Sequence, residues 1–393
     1  MLQRTWDKVP ACRLGLIGDH PWARALVEAA QLRGGWLRAC AGPPELLAWA
    51  VRLSAEVATN SEAQAVLSDT ELDIIILADA LPFRGQLLME AVQLDKAVLV
   101  IHPAELEAER YYVVQLAIEE RRFPVWPMLP HRFFPGLEPL RSWLRQIAGQ
   151  SSWQLEASVP LADNSVSVSS GVSPQLTDSL LGAHPLWYWA DWLRLIGGEV
   201  AEVYAVSDAA RLDRPACPLT VTGRWEQGGH FVLRFARHVA EGFQLSTNHG
   251  TIIWQGATVI PGEYQLSWRD AEKQDTYSGS SDGVWAAYAD WLLQSGPSRG
   301  LPPQWLDVVA VAEIVQAVEE SLRRRKAVSL LHQEYTESAV FKSRVATLGC
   351  GLVWAMLVLA MISPLVPQVL YLIPGLLLIC LGLFVLGWLA FRR

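Results

Sequence analysis

This chain lacks a surplus of basic charge. Against 40 Asp and Glu stand 32 Lys and Arg, a formal net charge of −8. That balance excludes general nucleic-acid binding, which needs a basic face to neutralise phosphates. Cysteine is scarce too: the five, at positions 12, 40, 217, 350 and 380, share no CxxC or Cys/His spacing. They fit reduced structural thiols in a cytosolic compartment and exclude a zinc site. His230, His238 and His249 are scattered through strand-like regions with no metal-like spacing, so no metal is expected. No secretory signal is visible, because Met1 to Pro10 is polar and the first apolar run is a short strand.

Charge is also absent from two long apolar runs near the end. Val345 to Ile362 is about 18 residues and Val369 to Phe391 about 23, long enough to span a hydrocarbon core. The turn Ser363-Pro364-Leu365-Val366-Pro367 separates them. Lys342 and Arg344 precede the first run and Arg392-Arg393 close the second. Positive charge at both ends places them, and the globular part before them, on the cytoplasmic side of a cell membrane. The reading is a C-terminal helical transmembrane hairpin over 345–393, joined by a linker over 331–344. Neither run holds an ionisable residue, so the hairpin is an anchor and not an ion path. Pro374-Gly375 predicts a kink in the second run.

About 330 residues remain, enough for two domains. Arg13-Leu14-Gly15-Leu16-Ile17-Gly18 reads as a buried strand ending in a glycine turn. Asp19 then reads as the N-cap of a helix over Ala23–Leu32, with Pro21 in its first turn. Asp73–Ala78 and Ala97–Ile101 are continuous apolar runs, typical of parallel strands covered on both faces. Helical segments Gln86–Leu94 and Glu105–Glu120 lie between and after them. This alternation predicts an α/β, Rossmann-like doubly wound domain over 1–130.

At these residues the chain resembles the Gfo/Idh/MocA family of NAD(P)-dependent sugar and polyol oxidoreductases. The family's first turn has the form G-x-G-x-x-G or G-x-G-x-x-A, and here it is Gly18-Asp19-His20-Pro21-Trp22-Ala23. Only the first and last small residues remain. The family's later histidine, Gly-Lys and Glu-Lys-Pro positions fall on Arg84, Asp95-Lys96 and Ile101-His102-Pro103. The resemblance implies an NAD(P) site at Gly18, Asp19, His20, Ala23 and Arg84. A pyrophosphate would sit on the first helix's free N–H groups, where Asp19 opposes it and a protonated His20 or Arg24 would favour it. His102 takes the position of the family's lysine, and imidazole can do acid–base work near neutral pH.

His131-Arg132-Phe133-Phe134-Pro135 and a helix over Leu137–Ile147 mark the crossing into a second domain, 131–330. Strand-like stretches at 153–160, 200–206, 219–225, 230–237, 242–247, 250–255 and 263–268 follow. They predict an α+β domain with a large, mostly antiparallel sheet and one open face. That face offers an oligomerisation surface for a second copy or a homologous subunit. The family's Asp/His pair falls in Asp178–Asp191 in either of two registers, so Asp178, His184, Tyr188 and Asp191 are pocket candidates. Trp187, Tyr188, Trp189 and Trp192 suit either sugar stacking or core packing. A helix over Leu306–Lys326 and a strand at 327–328 resemble the family's closing elements. The basic cluster Arg323-Arg324-Arg325-Lys326 suits either an anionic leaflet or the helix's own dipole. Two functions remain open: a membrane-anchored oxidoreductase acting on a sugar-like CH–OH group, and a non-catalytic sugar-binding or scaffold subunit at the membrane face.

Overall fold

Apolar runs too short for helices fix the first sheet. The strands are β1 (Arg13–Ile17), β2 (Trp36–Ala41), β3 (Ala58–Asn60), β4 (Ile74–Leu77), β5 (Val98–Ile101) and β6 (Val125–Met128). All pair in parallel in the order β3-β2-β1-β4-β5-β6. Ile74–Leu77 and Val98–Ile101 are buried at every position, as strands covered on both faces require. Chain order reverses between β1 and β4, so their carboxyl ends form the crevice where such sheets place ligands. The computed structural model describes residues 12–78, 83–104, 108–147, 153–161, 184–208, 217–258, 262–270, 273–280, 283–293 and 302–330.

The helices between these strands are α1 (Pro21–Gln31), α2 (Pro44–Leu53), α3 (Ala63–Leu67), α4 (Phe83–Gln93) and α5 (Ala108–Arg121). The cap of α1 differs from expectation. His20, not Asp19, caps the helix, accepting the Trp22 N–H on Nδ1 at 3.2 Å. Asp19 is drawn away by Arg24, whose guanidinium grips both carboxylate oxygens at 2.6 and 2.5 Å. A bidentate charged pair outcompetes a single cap bond.

After a 3-10 turn, Pro130–Phe133, and α6 (Leu137–Ile147), the chain builds a mixed nine-stranded sheet. Its strands are β7 (Trp153–Pro160), β8 (Val200–Val206), β9 (Leu219–Trp225), β10 (His230–Ala236), β11 (Gly242–Thr247), β12 (Gly250–Gly256), β13 (Glu263–Arg269), β14 (Gln274–Ser280) and β15 (Val328–Ser329). Only β7 and β10 pair in parallel. Alternation leaves one face covered and the other carrying exposed Gln154, Glu156, Gln244, Gln255 and Gln265. The covered face is aromatic: Trp254 stacks on Tyr264 (4.6 Å) and Phe243 (5.8 Å) and meets Trp192 edge-on. Strand β14 is missing from the sequence reading because it is a polar edge strand with no buried position.

Three helices hold the two sheets together: α7 (Leu186–Gly197), α8 (Val284–Leu292) and α9 (Trp305–Arg324). Helix α8 packs on α1 and the 3-10 turn, while α9 packs on α5, α7 and β8. Residues 1–330 form one unit and 331–393 a second, which lies outside the described residues. Among the described residues no helix is long and apolar enough to cross a membrane. The linker over 331–344, the apolar runs of 345–391 and Asp178 all lie outside the described residues.

Candidate functional site

The crevice begins where β1 ends. Gly18 has φ +86°, a backbone a side chain would strain, and its N–H bonds Ala41 C=O at 2.8 Å. A Cβ on Gly42 would come within 2.8 Å of Leu46 Cδ2 and 3.5 Å of the Gly18 Cα. Positive φ at both Gly18 and Gly42 (+154°), with Leu46 crowding the latter, explains both glycines. Ala23 is fully buried inside α1.

A line of rings runs across the crevice from this turn. His20 meets Trp22 edge-on at 5.3 Å, Trp22 meets Tyr188 at 5.6 Å, and Tyr188 meets His102 at 5.6 Å. Trp187 also meets His102 edge-on, at 5.5 Å. His102 precedes a cis proline, and its C=O accepts the Tyr188 hydroxyl at 2.5 Å. Arg84, at the start of α4, donates to the Pro103 C=O at 2.8 Å and to the Ile101 C=O at 3.4 Å. Gly18, His20, Arg84, His102 and Tyr188 are thus brought together, joined by Trp22, which the sequence reading did not assign to the site.

Electrostatics follow from enclosure. Burial, helped by the charge of Arg84, pushes His20 down to about 3. Burial likewise pushes His102 down to about 3, although the charge of Asp191 opposes it. Both imidazoles are neutral at physiological pH. The expectation of a protonated His20 for phosphate is therefore corrected: its ring is 3% exposed, and one nitrogen serves the helix cap. Arg24 is committed to Asp19 and lies 5.3 Å over the Trp49 ring. Burial also raises the Tyr188 hydroxyl well above its ordinary value. His102 is 1% exposed; neither ring nitrogen makes a hydrogen bond of good geometry, although the Trp187 backbone lies close enough to favour its charged form.

The other two candidates are engaged elsewhere. Asp191 is fully buried, held by Arg132 at 2.8 and 2.5 Å and by His131 Nε2 at 2.7 Å. Burial alone would raise its pKa, but Arg132 and His131 hold it well below the carboxylate range. Arg132 continues to Asp307 of α9 (2.7 Å), which also takes Arg194 of α7 (3.0 Å). This ion-pair chain ties the 3-10 turn, α7 and α9. His131-Arg132, two polar residues amid an apolar stretch, was its sequence signal. His184 accepts the Leu186 N–H on Nδ1 (3.2 Å) and donates from Nε2 to the Cys217 C=O (3.0 Å). Burial pushes it down to about 4, and it stands against Phe235 at 4.8 Å. Among the described residues no group of three or more His, Cys, Asp or Glu could hold a metal ion.

No protein-family model matches the chain, and no curated protein matches it significantly. Solved structures do. An Agrobacterium radiobacter oxidoreductase in complex with NAD+, L-tartaric acid and magnesium superposes with TM-score 0.65 at 14% identity, over 81% of this chain and 98% of that one. This chain has the fold of an NAD-binding oxidoreductase. Levoglucosan dehydrogenase, in complex with NADH and levoglucosan, gives 0.63 at 16% identity, over 81% and 99%. The WlbA dehydrogenase of Bordetella pertussis, in complex with NADH and UDP-GlcNAcA, gives 0.65 at 14%, over 83% and 100%. These neighbours are of the Gfo/Idh/MocA type, as the turn and the closing helix led one to expect.

The described residues of this crevice do not fit a dinucleotide. Its walls are joined by the His20, Trp22, Tyr188 and His102 rings, none more than 4% exposed. At the mouth Asp19 and Arg24, 30% and 27% exposed, neutralise one another, so Arg24 is not free to hold a phosphate.

Proposed function

We propose that this protein is a membrane-tethered, non-catalytic relative of the sugar oxidoreductases, a scaffold or partner subunit at the cytoplasmic face. The observation that carries this reading is the enclosure of His102. A general acid or base must come within hydrogen-bond reach of the proton it moves. His102 is walled by Trp187 and Tyr188, and Asp191 is spent on Arg132. The apolar runs of 345–391 supply the tether, and the polar open face of the nine-stranded sheet supplies a surface for a second copy or a homologous subunit.

The competing reading is NAD(P)-dependent oxidation of a sugar-like CH–OH group. It draws on the structural likeness and on the His102 ring, whose nitrogens make no hydrogen bond of good geometry and which an opened crevice would present to a substrate. Calorimetric titration of NAD, NADH, NADP and NADPH into the full chain separates the two. The expected result is no binding by the natural protein, with binding regained in an Asp19→Ala, His20→Gly variant. Micromolar binding by the natural protein would overturn the non-catalytic reading and call for a sugar-alcohol screen with His102→Ala as control.

A further inference from the structure

In a chain of net charge −8, the end of α9 is an exception. Arg323, Arg324, Arg325 and Lys326 follow one another and all are exposed. Arg323 and Arg324 share one carboxylate, Glu320, with the Arg323 contact at 3.2 Å. Against these four cations the same turn carries Glu319 and Glu320, a surplus of two positive charges, more than a helix dipole of about half a charge requires. The cluster is held on a fixed backbone. Arg325 takes the left-handed helix-ending conformation, and its N–H bonds Ser321 C=O at 2.7 Å. The Ser321 hydroxyl donates to Lys326 C=O (2.7 Å) and accepts the Ala205 N–H of β8 (2.9 Å).

That last pair of bonds sets the basic turn beside the end of β8. Exposed Tyr204 and Val206 alternate on that strand with buried Val203 and Ala205, so they point to the open face of the sheet, away from α9, and are no part of the basic turn. Exposed lysine and arginine suit a lipid headgroup layer, where they meet anionic phosphate. The described chain ends at Leu330, and the first apolar run begins at Val345. About 15 residues can extend at most ~50 Å, so the patch stays within reach of any bilayer that holds the run. We propose that Arg323–Lys326 dock this unit onto an anionic membrane surface. The proposal rests on the reading of 345–391 as a membrane anchor.

The test places the full chain in nanodiscs of phosphatidylcholine alone or with phosphatidylglycerol. Acylation of Lys326 by a water-soluble succinimidyl ester is followed by mass spectrometry, with exposed Lys273 as reference. The expected result is labelling of Lys326 slowed roughly threefold or more in anionic discs only. High salt, or the Arg323→Gln, Arg324→Gln variant, is expected to restore it. Equal labelling in both disc types overturns the proposal. Protection independent of lipid charge also overturns it, and points to a protein partner or second copy on the patch. Failure of the chain to co-elute with discs refutes the anchor instead. The patch is then judged by sedimentation with phosphatidylglycerol vesicles, where salt-reversible binding upholds it and no binding overturns it.

Discussion

Replacing Asp191 by alanine is expected to lower stability by about 3–5 kcal/mol, the usual effect of breaking a fully buried ion pair. The carboxylate answers the Arg132 guanidinium and the His131 ring in a place without solvent. Removing it leaves the charge of Arg132, 6% exposed at the side chain, with Asp307 as its remaining partner. Denaturant unfolding of the full chain measures the loss. A variant that also replaces Arg132 by methionine is expected to recover much of it, since an apolar pair avoids the uncompensated charge. A loss under about 1 kcal/mol for Asp191→Ala would mean that water reaches the pair, as at exposed bridges.

The second large effect is on acid stability. His20 and His102 are pushed down to about 3 and His184 to about 4, each by burial, from an ordinary value of 6.5. Burial lowers His131 as well. Below 6.5 the unfolded chain binds protons that the folded protein refuses, so stability is complete above that pH. It falls as pH drops from 6.5 toward the folded values, by up to about 1.4 kcal/mol per pH unit for each histidine. The lowered pKa of Asp191 has the same sign but acts only below the ordinary carboxylate range. Urea unfolding at pH 7, 6 and 5 is expected to show a steep decline below pH 6.5. His102→Phe is expected to reduce the slope by about one proton. A flat profile across this range would mean that the histidines are solvated.

The frame of this protein was legible in its sequence, because uninterrupted runs such as Ile74–Leu77 permit little but a doubly covered parallel strand. The alternation of β10 and β11 likewise announced a half-covered sheet. The crevice was less legible, and the reason is competition between neighbouring polar groups. Asp19 is the better N-cap by residue type, yet Arg24 one turn later takes its carboxylate and leaves the cap to His20. Nothing in local spacing tells that Trp22 and Tyr188, far apart in the chain, close on one another. Asp191 fell on the family's acid in one of two open registers, but its role was decided by Arg132, 59 residues away. His184 stood at a family position and proved to bond the start of its own helix and the Cys217 carbonyl.

The closure of the crevice is the center of this account, and histidine modification tests it directly. Diethyl pyrocarbonate reacts with neutral imidazoles that solvent can reach, and mass spectrometry locates each product. Exposed His230, His238 and His249 are expected to react, while His20 and His102, 3% and 1% exposed, stay unmodified with or without NADH. Modification of His102 at the rate of the exposed histidines, with protection by NADH, would show an open crevice that holds the cofactor and would contradict the account.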